Sequence, residues 1–213
     1  MHPRASVVRG TLSVVLAVAL AAAGAASATM KKKPRKPAPK PVCHLVGAGT
    51  SSPTDDSLKI TSADIATNAT TLTIVVRVNK LATGTDAQAP TGRQWEFDFT
   101  ADNRQMTLGV FDGPAGTATT YGIGTATLDT AKNEIRYSVS LADLANKTST
   151  PKVKNGSTNF ANFVAFTQLV VQAPAAARTA GFGPYFWPIE SADRAQGTTR
   201  YTAGYPSCVK VGS

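Results

Sequence analysis

From Thr71 to Val78 the chain alternates, with Leu72, Ile74, Val76 and Val78 on one face and Thr71, Thr73, Val75 and Arg77 on the other. A period of two predicts a half-buried strand. Trp95, Phe97 and Phe99 alternate in the same way with Gln94, Glu96 and Asp98. Met106, Leu108 and Val110 then alternate with Gln105 and Thr107, so the intervening Asp102-Asn103 predicts a hairpin turn. Segments 125–128 and 134–140 flank Asp129-Thr130-Ala131-Lys132-Asn133 as a second hairpin, with Ile135, Tyr137 and Val139 inward. Segment 163–172, rich in β-branched and aromatic residues, reads as a further strand, and short edges are expected near 58–60 and 200–202. Helix is scarce: only 141–146 suits a turn of it, and 148–158 reads as a loop. The expected fold is all-β, a two-sheet antiparallel, jelly-roll-like β-sandwich of seven to nine short strands.

Residues 1–28 interrupt that pattern. Arg4 and Arg9 precede an apolar run from Leu12 to about Ala23, and Ala26-Ser27-Ala28 offers the small residues a signal peptidase requires. This is the pattern of a secretory signal peptide cleaved after Ala28, and its apolar run is short for a membrane span. No later segment is apolar enough to span, so the expectation is an exported, extracellular monomer.

The formal net charge of +9 and a pI near 9.8 suggest an anionic partner at first sight. Their location changes that. Segment 31–41 reads KKKPRKPAPKP, so Lys31, Lys32, Lys33, Arg35, Lys36 and Lys40 sit among four prolines with no acid between them. Residues 29–42 are therefore expected to be a stiff, disordered linker. Arg4, Arg9 and these six account for eight of the twenty-two cations, leaving fourteen against thirteen acids in residues 43–213. The charge belongs to a tail, which either anchors the chain on anionic cell-wall polymers or spaces the domain inertly. No aromatic residue interleaves the cations, as stacking on nucleic-acid bases would need.

Cys43 and Cys208 open and close the remaining domain, 43–213. In an exported chain such a pair predicts a disulfide joining the two ends, worth about 5 kcal/mol in the chain-entropy model. A metal site or catalytic thiol are the alternatives, and His44 adds too few ligands for structural zinc.

Cys43 with Leu45-Val46, DSLKITSADI at 56–65, the 72–78 strand, Trp95 to Phe99 with its hairpin, the 124–139 stretch and Tyr201-x-x-Gly204-x-Pro206-Ser207-Cys208-Val209 together resemble exported β-sandwich proteins of high-GC Gram-positive bacteria. That group is similar in architecture to DOMON domains and family 9 carbohydrate-binding modules. The resemblance covers nearly all of 43–213 but consists of structural positions, so it implies fold more than function. Two departures matter. Met106 falls on an inward face and His44 is the one histidine after the signal, so a haem cofactor is not implied. Gly47-Ala48-Gly49-Thr50 stands where acidic residues are expected, although Asp55 and Asp56 remain as possible calcium ligands.

Catalytic constellations are thin. There is no G-x-S-x-G elbow, no phosphate-binding loop, and too few histidines for a zinc peptidase. Glu96 and Asp98 share one strand face at about 6–7 Å along the backbone and could serve a glycosidase, or simply be solvated outer-face residues. The aromatic segment GFGPYFWPIE at 181–190 places Tyr185, Phe186 and Trp187 among prolines, as a ligand platform or as a plug for the end of the sandwich. The expected function is a non-catalytic binding or cell-envelope module, without cofactor, with carbohydrate as a possible ligand. A carbohydrate-active hydrolase or a protein-interaction domain are the alternatives.

Overall fold

In the computed structural model, every alternating segment named above becomes a strand. The structure describes residues 37–114, 118–148, 153–171, 187–197 and 199–211. Ala38–Ser213 is grouped as one compact unit, and all of the segment before it except Pro37 lies outside the described residues. In chain order the strands are β1 (Ile60–Thr67), β2 (Thr71–Val78), β3 (Arg93–Ala101), β4 (Arg104–Asp112), β5 (Ala118–Gly122), β6 (Thr125–Asp129), β7 (Glu134–Ser140), β8 (Asn159–Val171), β9 (Trp187–Gly197) and β10 (Tyr201–Thr202). Among the described residues one α-helix, α1 (Leu141–Thr148), follows β7, two residues longer than the helical turn that 141–146 predicts.

The strands form two antiparallel sheets, ordered β1-β2-β7-β6 and β10-β8-β3-β4-β5, with β9 also pairing β8. The β3–β4 turn is Asp102-Asn103, at φ 46° and 66°, the left-handed pair that a tight two-residue hairpin requires. The core lies between the sheets, where Leu72, Ile74 and Val76 meet Trp95, Phe97 and Phe99, joined by Ile135, Tyr137, Phe160 and Phe163. Trp95 donates its indole N–H to the Ser57 carbonyl at 2.8 Å, and the Tyr137 hydroxyl donates to the Trp95 carbonyl at 2.9 Å. The two largest core aromatics thus satisfy their polar atoms without water, as burial demands.

The segments around Cys43 and Cys208 meet beside the four-stranded sheet. Cys43 and Cys208 form the expected disulfide, with Cα atoms 5.2 Å apart. Val42 bridges Ser207 in parallel beside it. Beyond the disulfide, Val209 and Val211 pack on Ala66 and Val75, which face away from the core. Arg77 pairs with Asp64 at 2.7 Å and with Glu134 at 3.0 Å on this same outer face. The terminal segment and an ionic network therefore cover the β1–β2 part of this outer face, while Thr125, Thr127 and Ser138 on β6 and β7 stay exposed.

Three strands depart from the alternation. β1 extends to Thr67, well beyond the short edge expected near 58–60, because six of its eight residues are buried: the core takes one face and Val209 shields part of the other. A strand buried on both faces loses its polar phase. β9 occupies 187–197, a stretch with Glu190, Asp193 and Arg194, and β5 is the Thr-rich 118–122. Neither carries an apolar repeat, and each is held by its neighbour's ladder.

Candidate functional site

The outer face of the six-stranded sheet differs from its counterpart. Antiparallel register aligns residues across strands, and here it places Arg194 (β9), Phe166 (β8), Glu96 (β3), Gly109 (β4) and Tyr121 (β5) in a single row. Adjacent strands lie about 4.8 Å apart, so β5 and β3 are separated by about 10 Å with β4 between them. Gly109 removes the intervening side chain. A Cβ there would stand 1.9 Å from Tyr121 Cζ, so the tyrosine ring lies across bare backbone. Its hydroxyl thereby reaches over β4 and donates to Glu96 Oε2 at 2.6 Å. Gln94, two residues earlier on β3, donates through Nε2 to the Tyr121 hydroxyl and to Glu96 Oε2.

Glu96 is half-buried, and its environment changes its acidity. Burial raises its carboxyl above the ordinary glutamate value of 4.5; the nearby Asp98 charge adds to the rise, while hydrogen bonds from Tyr121 and Gln94 oppose it. Burial, then the bond to Glu96, pushes the Tyr121 phenol far above its usual range, so it remains a donor at any working pH. Because the folded protein holds the Glu96 proton more tightly than the unfolded chain, this group favours the fold below its ordinary value. That contribution is lost as pH rises through the raised value. Glu96→Gln keeps the acceptor and cannot ionise. Its thermal midpoint should therefore gain on that of the wild type as pH rises from about 4 through the raised Glu96 value. A midpoint difference independent of pH in calorimetry would overturn the assignment.

The rest of the face is equally organised. Phe166 stands beside Glu96 and carries the Arg194 guanidinium 5.0 Å from its ring centre, a cation–π contact that positions an exposed cation. Asp98 accepts from the Thr107 hydroxyl at 2.6 Å. Glu96 Oε1 has no hydrogen-bond partner among the described residues. The row thus offers an acceptor, a fixed phenol and a planar cation on one partly exposed surface.

The sequence-predicted residues fare unequally. Asp55 is buried at the end of the sandwich, where it accepts from Arg93 Nε at 2.6 Å and from Ser57 N at 2.8 Å. Asp56 Oδ1 accepts from Asn79 at 2.8 Å. Both carboxylates are thus engaged by protein donors, and among the described residues no group of three or more His, Cys, Asp or Glu is arranged to hold a metal ion. Lys40 is exposed ahead of the disulfide. Lys31, Lys32, Lys33, Arg35, Lys36, Tyr185 and Phe186 lie outside the described residues. Trp187 begins β9 opposite Val171. Among the described residues no helix is long and apolar enough to cross a membrane.

Sequence reasoning found Glu96 and Asp98 and missed Tyr121, Gly109, Phe166 and Arg194. The signal for Tyr121 was register alone: a glycine in the middle of β4, opposite an acid on one side and an aromatic on the other. Comparison with family models, curated proteins and solved structures finds no match for this chain.

Proposed function

We propose that this chain is an exported, non-catalytic carbohydrate-binding module whose ligand lies on the outer face of the six-stranded sheet. One observation carries the reading: the half-buried Glu96–Tyr121–Gln94 network, built across Gly109 on an otherwise part-exposed surface. The mutual hydrogen bonds offset the desolvation of these groups and fix a carboxylate and a phenol at the surface in one geometry. A polyhydroxyl ligand supplies donors for Glu96 Oε1 while the partly exposed Phe166 ring, with Arg194 over it, adds an aromatic surface beside it. The Lys-rich tail, with Lys40 at its end, adds salt-sensitive attraction to anionic envelope polymers.

A second reading, a hydrolase of carbohydrate type, draws on the raised acidity constant of Glu96 beside Asp98, as a general acid would need. Release of reducing ends by the wild type, abolished in Glu96→Gln, would favour it.

Affinity electrophoresis through gels holding neutral glucan, xylan or mannan tests the binding reading. Wild type should be retarded at both low and high salt, and Glu96→Gln and Tyr121→Phe should weaken retardation about tenfold. Retention on anionic polymer alone, lost with salt and with deletion of 31–41, would leave the tail as the binding element. Migration unaffected by every polymer would refute the module and leave a protein partner.

A further inference from the structure

Two hollows continue the face beyond the Glu96 row. Between Asp98 and Thr100 the β3–β8 register shifts, and Asn162 takes φ 54° beside that shift, where it donates to Thr100 Oγ1 at 3.3 Å. On one side of Asn162 lies a hollow of about 350 Å³ lined by Thr100, Asp102, Asn103, Asn159, Asn162 and Arg200. On the other, a hollow of about 310 Å³ is lined by Asn162, Val164 and Gln196 among others. Asn162 lines both, so the two hollows adjoin along β8, and the second reaches Val164, two residues from Phe166 in the Glu96 row.

The chemistry of the far hollow is specific. The Thr100 hydroxyl donates to the Ala161 carbonyl, and the Asn159 amide is engaged by Ser157 and Thr202. Asp102, Asn103 and Arg200 have side chains without a hydrogen bond or ion pair among the described residues. Asp102 and Arg200 line the same hollow yet do not pair. Asp102 only accepts, Arg200 only donates, and the asparagine amides do both. A hydroxyl group is a ligand function that meets all three, because it both donates and accepts. The formal charges of Asp102 and Arg200 sum to zero, so the hollow carries no net charge to select an anion or a cation. From Asn159 to Phe166 the strand spans about 23 Å, so the hollows and the Glu96 row together make a long surface. One sugar ring touches a single part of that length.

We infer that the ligand is a neutral, linear polysaccharide chain lying lengthwise along β8. One stretch of it engages the Glu96–Tyr121 network, and another fills the Asn162–Arg200 hollow. The inference rests on the sugar-binding reading of this face and adds the ligand's charge, its length and a second subsite.

Isothermal titration of the full chain with neutral gluco-, xylo- and manno-oligosaccharides, from disaccharide to octasaccharide, tests it. Affinity should climb with length and then level. Arg200→Gln and Asn162→Gly should each weaken the longest chain about fivefold and leave the disaccharide unchanged. Glycine at 162 retains the positive φ, and circular dichroism verifies the fold of both variants. Glu96→Gln should weaken every length. If binding depends on Glu96 but neither the Arg200 nor the Asn162 variant affects the longest chain, the second subsite is wrong and the sugar-binding face stands. Tighter binding of carboxymethylated glucan than of its neutral parent, lost in Arg200→Gln, would overturn the neutral ligand. Absence of binding at any length in all three series would overturn both readings.

Discussion

Replacing Asp55 with alanine should lower the free energy of unfolding by about 3–5 kcal/mol, because it strips a buried cation of its best partner. The Arg93 side chain is 1% exposed and Asp55 is 4% exposed, and they meet at 2.6 Å. Arg93 also bonds the Gly84 carbonyl and Asp86, and its bond to Asp86 holds that carboxyl below the ordinary aspartate value. Asp86, however, is 44% exposed, so its charge is screened by water and cannot replace a buried one. Asp55 additionally caps the turn Asp56–Leu58 through Ser57 N, a contact worth about 1 kcal/mol. Urea denaturation followed by tryptophan fluorescence reads this well, since Trp95 bonds the Ser57 carbonyl inside the same turn. Pairing Asp55→Ala with Arg93→Met should recover much of the loss, since an apolar pair of similar volume can replace a buried ion pair. A single-variant loss below about 1 kcal/mol would show that Arg93 is hydrated rather than dependent on Asp55.

Exchanging both Cys43 and Cys208 for serine should cost 2–5 kcal/mol, toward the upper end because the bridge spans 165 residues of sequence. The native contacts beside it survive: Val42 N still donates to the Pro206 carbonyl and Cys208 N to the Val42 carbonyl. What is lost is the restriction on the unfolded chain and the anchor for Val209 and Val211 over Ala66 and Val75. Amide exchange should therefore accelerate first in β1 and around Val209, ahead of β3 and β8. Uniform acceleration across both sheets, or an unchanged urea midpoint, would contradict this account.

The strands that were legible are those whose two faces meet different surroundings. β3 and β7 show this over most of their length, while β2 and β4 keep an alternating sequence although Val75 and Phe111 are buried on their outer side as well. β1 was only partly legible because Ala66 faces outward and is still buried, under a valine that arrives from the far end of the chain. β9 was illegible for the opposite reason. Its buried Asp193 accepts from Ser51 N and Ile60 N, so an aspartate fills a position that a pattern of apolar residues would have marked. Glu96 looked like a solvated carboxylate beside Asp98. Its half-burial depends on Tyr121, twenty-five positions along the chain, and on a glycine between them. The Asn162 hollow depends on a register shift, which no local composition announces.

The sequence by itself determined the alternating strands, the hairpin at Asp102-Asn103, the place of Trp95 in the core and the pairing of the two cysteines. Each of these follows from local periodicity, turn chemistry or the count of a residue type, which are properties of neighbours in the chain. The tertiary structure alone decided which sheet face is covered, how Tyr121 meets Glu96 across Gly109, and where Asn162 opens a hollow toward Arg200. Those outcomes depend on which strands pair and in what register, and register is set by the packing of the whole core.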